Sequence, residues 1–393
     1  MTTMTAPAYD VDLFSDEVIG NPYLHYKNMR DMCAVVWLPQ HELWALPRFK
    51  EVRKALQTPE VFSSAKGFAV NDLFNAAIAP CSISSDPPLH AKLRAVLSGP
   101  MQPANIAYLR AEIEESAERL IEGLMAKKSF DGVKDLAHHL PFEIVSKLVG
   151  LPEEGRVRML EYAAAGFDAC GPLNDRANAA FPKVQELIAF TMDATSESKV
   201  RPGSWTAGIY EAAKDGRIEQ ERIGPMILEY VFPSLDTTIN ATSAALASFA
   251  KNPDQWDLLR SEPDLIPNTI DEVVRLDSPI RHFSRVLATD YEIDGIQMQQ
   301  GQRVVCLIAS ANRDERQWVD PDRFDIRRKT ALHVGFGAGV HTCGGMHLAK
   351  MEIAAVLKSL IKRVSKFEIV GEPMYVMNNV LRGFEYLPMR ICS

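Results

Sequence analysis

Apolar residues recur at three- and four-residue steps along much of the chain, which is the spacing of one face of an α-helix. The segments with this spacing are Leu109 to Met125, Pro141 to Val149, Phe181 to Thr195, Glu219 to Ala250, Ile266 to Arg275 and Met346 to Val364. Stretches typical of β-strands are shorter and fewer. They are Val35 to Trp37, Leu43 to Leu46, Tyr291 to Met298, Arg303 to Ile308 and Lys366 to Val370. The pattern predicts a mainly α protein with small peripheral β-sheets.

Two long segments, Lys66 to Ser85 and Gly166 to Asn178, follow neither pattern. Irregular segments of this length in a compact protein are usually binding loops or lids, so we expect them at the entrance to a substrate site. The chain has 393 residues and shows no internal repeat, low-complexity tract or Gly/Ser-rich linker. We therefore expect one domain over residues 1–393.

Composition narrows the function classes. Hydrophobic residues make up 47% of the chain and charged residues 24%, which is typical of a globular protein. The net charge of −8 argues against a nucleic-acid partner. The first residues show neither a signal-peptide pattern nor an apolar run that could span a bilayer, so we expect a cytoplasmic protein without a membrane contact. The six cysteines are scattered without a Cys-x-x-Cys pair, which fits a reducing compartment and no zinc site.

A glycine-rich loop directly precedes the last predicted helix. It reads Phe-Gly-Ala-Gly-Val-His-Thr-Cys-Gly-Gly from Phe336, with Gly337 second, His341 two residues before Cys343 and Gly345 two after it. Glycines let backbone N–H groups approach a sulfur atom, and the positive end of the following helix faces it. A buried structural cysteine in a Gly-rich turn is the alternative, but then Phe336, His341 and Gly345 would stand there by coincidence.

This loop resembles the haem-thiolate loop of cytochromes P450. The resemblance implies the cytochrome P450 fold and a haem b whose iron is bound by the Cys343 thiolate. Residues 86–94 are similar to the family's Asp-Pro-Pro-x-His-x-x-x-Arg segment, so His90 and Arg94 are expected on one helical face as haem propionate ligands. Arg285 and His341 match further propionate ligands of the family.

A second P450-like feature is the pair Glu272 and Arg275, three residues apart on a predicted helix. Alone, such a pair is common on solvated helices. Residues 321–324, Pro-Asp-Arg-Phe, resemble the family segment whose arginine completes a buried ion cluster. The resemblance implies a structural network of Glu272, Arg275 and Arg323 that stabilises the fold around the haem.

The long predicted helix contains Pro233-Ser234-Leu235-Asp236-Thr237-Thr238, where most P450s have two small residues before the acid and alcohol. By itself, Asp-Thr-Thr is usually a capping or packing feature. The resemblance implies catalytic roles: Thr237 positions oxygen and water, and Asp236 relays protons. Pro233 departs from the family, and it must kink the helix because its nitrogen cannot donate to the carbonyl of Glu229.

Glu229 lies on the same helical face as Asp236, towards the predicted pocket. Either it accepts a hydrogen bond or ion pair from substrate, or it pairs with an arginine or stays in solvent. By resemblance, the other residues expected to contact substrate are Phe68, Phe74, Phe167, Pro233, Ile280, Phe283, Ser284 and Val380.

The resemblance implies a monooxygenase that inserts one oxygen atom of O2 into a small aromatic or other apolar substrate, by hydroxylation or O-demethylation. The carboxyl-terminal third resembles bacterial P450s that oxidise small substituted benzoic acids. The pocket loops resemble them less, and with Glu229 present we do not expect a benzoate. The expected partners are a separate ferredoxin and an NAD(P)H-dependent ferredoxin reductase, and we expect a monomer. A peroxygenase that uses hydrogen peroxide, or a non-catalytic haem protein of the same fold, is the alternative.

Docking of the ferredoxin is expected on the face around Cys343. Its cations there would be Lys350, Lys358, Lys362 and Arg363, which could equally be a solvated helix face.

Overall fold

The computed structural model describes residues 6–127, 129–152 and 162–392. In this part of the chain the helices are α1 (Asp16–Gly20), α2 (Tyr23–Met32), α3 (Phe49–Gln57), α4 (Asp72–Ile78), α5 (Leu89–Ser98), α6 (Pro103–Ile106), α7 (Arg110–Met125), α8 (His139–Val149), α9 (Asp175–Ala194), α10 (Trp205–Lys214), α11 (Ile223–Val231), α12 (Asp236–Lys251), α13 (Pro253–Ser261), α14 (Ile266–Leu276), α15 (Ile308–Ala311) and α16 (Met346–Arg363). Residues 162–169 are also helical. Short 3₁₀ or π turns are Gly99–Met101, Ala107–Leu109, Gly132–Ala137, Gln220–Arg222, Pro263–Leu265 and Gly339–His341.

The strands are short and lie at the periphery. They are β1 (Val36–Leu38), β2 (Leu43–Leu46), β3 (Phe62–Ser63), β4 (Phe130–Asp131), β5 (Phe283–Leu287), β6 (Tyr291–Ile293), β7 (Ile296–Met298), β8 (Arg303–Cys306), β9 (Lys366–Ile369), β10 (Met374–Tyr375), β11 (Phe384–Tyr386) and β12 (Pro388–Cys392). One sheet has the order β1-β2-β8-β5-β3, in which β2 and β8 are parallel and the other neighbours antiparallel. The order β4-β12-β9 forms a second sheet, and β6-β7 and β10-β11 are two-stranded.

The predicted mainly α fold with small sheets is confirmed. The central helix is α12, whose side chains from Thr238 to Phe249 are all buried. Its sequence is rich in Ala, Ser and Thr, and small side chains on every face allow neighbouring helices to approach closely. Helices α14 and α16 pack against it, and α16 also packs along α7. The first turn of this central helix lines the same cavity as the Cys343 loop.

The single helix predicted from Glu219 to Ala250 is wrong, because α11 ends at Val231 and α12 begins at Asp236. Pro233 has no N–H to donate a helical hydrogen bond. The helix therefore ends before Pro233, whereas the prediction was a kink in a continuous helix. Two hydroxyl groups bind carbonyls at the break: Ser234 Oγ donates to the Tyr230 carbonyl, and Thr237 Oγ1 donates to the Pro233 carbonyl at 2.9 Å.

Other boundaries also differ from the prediction. The stretch from Tyr291 to Met298 is a hairpin rather than one strand, with Asp294 at a φ of 51° in its turn. The segment expected to be irregular between Lys66 and Ser85 contains α4, which the Asn71 side chain caps through the Phe74 N–H. None of the described helices has the length and apolar character that crossing a bilayer requires.

Candidate active site

The Cys343 loop has a shape that glycine alone adopts without strain. Gly337 and Gly339 have φ values of 74° and 73°, in the left-handed region. A Cβ on Gly339 would also lie 2.5 Å from the Leu56 carbonyl oxygen. The loop is closed by the Cys343 N–H, which donates to the Phe336 carbonyl at 2.8 Å. This turn holds Cys343 immediately before the amino end of α16, which Gly345 caps.

Cys343 lines a large cavity of about 280 Å³. Burial raises the pKa of its thiol, whereas the N–H groups of Gly345 and Met346 and the positive charge of Arg94 act in the opposite direction. The same donors stabilise a thiolate once a metal binds the sulfur. The loop residues Phe336, Gly337 and Gly345 line the cavity together with Cys343.

A group of basic side chains surrounds this end of the cavity. Arg94, Arg285 and His341 line it, and His90 lies behind His341 with the two ring centroids 4.3 Å apart. Arg94 donates to the Thr342 carbonyl, and Arg285 donates to the Ser284 carbonyl at 2.7 Å. Burial, followed by the charge of Arg285, lowers the pKa of His341 to about 2.

These residues fit the haem that the resemblance implies. The Nε2 atoms of His90 and His341 are buried and have no hydrogen-bond partner among the described residues. Each arginine has five N–H donors, of which the contacts above use few. The two arginine cations and the unpartnered ring nitrogens are groups that the two propionate carboxylates of a haem would bind, and Cys343 offers the sulfur ligand beside them.

The rest of the cavity wall is largely apolar. Among the residues predicted to contact substrate, Phe68, Phe74, Phe167, Glu229, Pro233, Ile280 and Phe283 line the cavity. Ser284 and Val380 do not. Ser284 is fully buried and donates to the Ala69 carbonyl at 2.7 Å, whereas Val380 is packed in the core with 1% of its side chain exposed. We therefore assign Ser284 and Val380 to the supporting structure.

Sequence reasoning missed several residues that line the cavity, notably Phe232, Cys81 and Ile83. Phe232 lies in the break between α11 and α12, and its ring is 4.5 Å from that of Phe167 and 5.8 Å from that of Phe74. Its position directly before Pro233 was the available signal.

The two segments expected at the entrance contact each other. The Val70 N–H donates to the Cys170 carbonyl at 2.8 Å. The buried Asn71 amide donates to the carbonyls of Ala169 and Gly171 at 2.6 and 2.7 Å. These bonds join the two segments over the apolar part of the cavity.

The acid and the alcohol of α12 have different surroundings. Thr237 lines the cavity, and its hydroxyl donates to the Pro233 carbonyl, which leaves the oxygen free to accept. Asp236 lies behind it in the first turn and is not a lining residue. Its Oδ2 is buried without a partner among the described residues, and burial raises the pKa of Asp236 to about 7.

Glu229 lines the cavity but is held by the segment that precedes α5. Its Oε1 accepts from the Ser82 hydroxyl at 2.9 Å and from the Ile83 N–H at 2.7 Å, and its Oε2 accepts from the Ser82 N–H at 2.8 Å. The expectation of an arginine partner or a solvated position is therefore wrong for Glu229. A contact with substrate stays a prediction.

The buried ion cluster contains a different second arginine from the one predicted. Glu272 and Arg275 are fully buried and form two hydrogen bonds of 2.7 and 2.9 Å. The Arg323 side chain is exposed, and only its carbonyl faces the cluster. Arg328 instead donates from Nε to Glu272 Oε1 at 3.1 Å. The turn after Phe324 brings Arg328 back over the cluster, which the Pro-Asp-Arg-Phe motif alone could not reveal.

Comparisons with known proteins agree with this geometry. The sequence profile of the family described as Cytochrome P450 matches residues 193–373. The protein named Cytochrome p450 CYP199A2 from Rhodopseudomonas palustris is 34% identical over 98% of this chain and 94% of its own length. Linalool 8-monooxygenase from Pseudomonas putida is 31% identical over 96% of each chain. The structure of Mycobacterium marinum cytochrome P450 CYP268A2 in complex with pseudoionone superposes with a TM-score of 0.88 at 26% identity, covering 98% of this chain and 99% of that one. The chain therefore belongs to the cytochrome P450 family and is a haem-thiolate monooxygenase.

Proposed function

We propose that this enzyme inserts one oxygen atom of O2 into a C–H bond of a small apolar substrate, by hydroxylation or O-demethylation. The observation that carries the proposal is the cavity itself, which joins the Cys343 loop to a wall of phenylalanine side chains and to Thr237. Apolar walls favour a substrate without charge and exclude bulk water from the reacting carbon. When a methyl ether is the substrate, the hydroxylated methyl group leaves as formaldehyde.

The haem supplies the oxygen chemistry when it is bound through Cys343. The chain's own contribution lies in positioning and in proton transfer. Arg94, Arg285, His90 and His341 would hold the propionates. The Thr237 oxygen can accept a hydrogen bond from a water or hydroxyl in the cavity, since its proton is engaged by Pro233.

Asp236 is suited to move protons near neutral pH, because burial raises its pKa to about 7. This pair of residues favours reductive use of O2 over a peroxygenase, which receives its oxygen already reduced. We expect Asp236→Asn and Thr237→Ala to lower product formed per NAD(P)H consumed and to raise hydrogen peroxide release. Peroxide-supported turnover equal to the ferredoxin-supported rate would contradict the proposal.

A separate ferredoxin and an NAD(P)H-dependent reductase are the proposed electron donors. The cations expected to attract the ferredoxin are all paired: Lys350 with Asp271, Lys358 with Glu114, and both Lys362 and Arg363 with Glu118, at 2.5 to 2.7 Å. Four cations against three carboxylates leave this face with little net charge. We therefore expect steering by these cations to be weak, and docking to depend more on contacts near Cys343.

The direct test is a carbon monoxide difference spectrum of the reduced protein, followed by turnover with a ferredoxin and its reductase. A thiolate-type spectrum and product formation that needs both O2 and the reductase are expected. Replacing Lys358 and Glu114 together by glutamine keeps the net charge of this face and should change electron transfer by less than about threefold, because the two charges already neutralise each other. A loss of electron transfer with unchanged substrate binding would show that these cations do bind the ferredoxin.

A further inference from the structure

The substrate side of the cavity contains a continuous group of aromatic rings. Phe167 contacts Phe232, Phe232 contacts Phe74, Phe74 contacts Phe68 and Phe68 contacts Phe283, with ring centroids 4.5 to 6.3 Å apart. All five rings line the cavity. Four separate segments of the chain contribute them, so only the tertiary structure assembles this wall. A ligand with an aromatic ring could make the same edge-to-face and tilted contacts with this wall, so the wall favours an aromatic substrate.

The acidic group on this wall is Glu229. Its two oxygens meet hydrogen-bond donors, two of which are backbone N–H groups that cannot accept. This arrangement suits an ionised carboxylate. Burial raises the pKa of Glu229, and the bonds from Ser82 and Ile83 oppose the increase.

The cation that acts on Glu229 is Arg94, whose positive charge opposes the increase in the pKa of this carboxyl. Among the described residues that line the cavity, Arg94, Arg285 and His341 are the basic ones. All three belong to the Cys343 side: Arg94 binds the Thr342 carbonyl, and Arg285 lies close enough to depress the pKa of His341. Those groups are the ones that fit the haem propionates. With Arg94 engaged by a propionate, a carboxylate on the substrate would meet the Glu229 anion, and the cavity lining offers no other basic group among the described residues than Arg285 and His341, which fit the propionates as well.

We propose that the enzyme selects neutral aromatic substrates, with the five phenylalanines holding the ring and Glu229 excluding carboxylates. The inference rests on the proposed function and names the substrate class of the same site. Oε1 of Glu229 accepts two hydrogen bonds and Oε2 accepts one, so Oε2 has room for one more donor. A neutral hydroxyl or amine on the ring can occupy that position.

The test compares two ligands of nearly equal size, para-methoxytoluene and para-methoxybenzoate. Their dissociation constants are measured by calorimetry on the haem-loaded enzyme at about pH 8, where the benzoate is ionised. Two like charges about 6 Å apart at an effective dielectric constant near 20 correspond to roughly a hundredfold difference in affinity. We expect the neutral ligand to bind about a hundredfold more tightly; a ratio below about tenfold, or tighter binding of the benzoate, overturns the proposal.

Two variants test separately whether Glu229 excludes carboxylates and whether the phenylalanine rings bind the aromatic ring. Glu229→Gln should reduce the ratio at least fivefold, and Glu221→Gln, an exposed carboxylate outside the cavity, should leave it unchanged. An unchanged ratio in folded Glu229→Gln overturns the role of Glu229. Phe232→Leu should remove the preference for para-methoxytoluene over its saturated cyclohexane analogue; a preference that persists overturns the role of the rings.

The wild-type ligand comparison decides the question even if Glu229→Gln does not fold. Failure of this inference is also distinct from failure of the proposed function. If the carbon monoxide spectrum and reductase-dependent turnover are normal while the benzoate binds best, only the neutral-substrate inference is wrong.

Discussion

Replacing Arg328 by alanine should destabilise this protein far more than the same change at Arg323, although the sequence motif favours Arg323. The Arg328 guanidinium donates to Glu272 at 3.1 Å and to the carbonyls of Val319, Asp320 and Arg323 at 2.5 to 3.0 Å. Its side chain is 11% exposed and that of Glu272 is fully buried. The substitution therefore removes four hydrogen bonds from the edge of a buried ion cluster.

The expected loss in free energy of unfolding depends on the hydrogen bonds that Glu272 and the three carbonyls keep after Arg328 is removed. Removing one member of a buried ion pair costs about 3–5 kcal/mol when the other charge is left alone. Glu272 keeps both bonds from Arg275, and the three carbonyls lie near enough to the surface to find water. We therefore expect a loss of about 2–3 kcal/mol for Arg328→Ala, against less than about 0.5 kcal/mol for the exposed Arg323.

The assay is thermal unfolding of the haem-loaded proteins, followed by circular dichroism at one scan rate. With an unfolding entropy of about 2.1 cal/mol/K per residue over 393 residues, the melting temperature should fall by about 3 °C for Arg328→Ala and by less than 1 °C for Arg323→Ala. Arg328→Lys, which keeps the charge but not the forked donors, should lie between them. Equal losses at the two positions would refute the assignment of Arg328 to the cluster.

Three further changes test other parts of the site. Burial raises the pKa of Asp236 from 3.8 to about 7, so between these values the folded protein binds a proton that the unfolded chain has lost. Stability should therefore fall as pH rises from about 4 to about 7, and urea unfolding of Asp236→Asn should show a smaller fall than the wild type. Asn71→Ala removes three hydrogen bonds of 2.6 to 2.9 Å, and stopped-flow measurements should show faster ligand entry and release, while urea unfolding shows a loss of about 2 kcal/mol. Unchanged ligand kinetics would mean that the two segments do not limit access. Gly339→Ala places a methyl group 2.5 Å from the Leu56 carbonyl oxygen and should lower the haem bound per chain, whereas the control Gly123→Ala, with nothing within 4 Å, should retain it.

Local sequence was enough to predict much of the fold. The periodic segments Leu109 to Met125 and Pro141 to Val149 are helices within two residues of the predicted bounds, whereas the helix predicted from Phe181 begins six residues earlier, at Asp175. Apolar residues at helical spacing form one face that packs against a core, so the pattern predicts the helix. The Cys343 loop was equally predictable. Gly337 and Gly339 adopt left-handed backbone angles, which are a property of a short stretch of chain. The close approach of Gly339 to Leu56 is a tertiary contact that the loop sequence does not show.

The features that the sequence did not predict have one physical cause in common. Each depends on contacts between segments that are far apart in the sequence. Glu229 binds Ser82 and Ile83, 147 and 146 residues away, and no helical pattern could show that. Arg328 replaces Arg323 because a turn reverses the chain over Glu272. A proline motif predicts a kink, but whether the helix bends or ends depends on hydroxyl partners and on the space around Phe232.

The helical spacing of apolar residues therefore predicted the fold class from the sequence alone. The resemblance to cytochromes P450 implied the cysteine ligand and the basic residues around it. Tertiary structure decided the substrate side of the cavity. There, rings from four segments and a carboxylate held by another segment come together across a broken helix. Long-range packing sets those contacts, because the segments that supply them are far apart in the sequence.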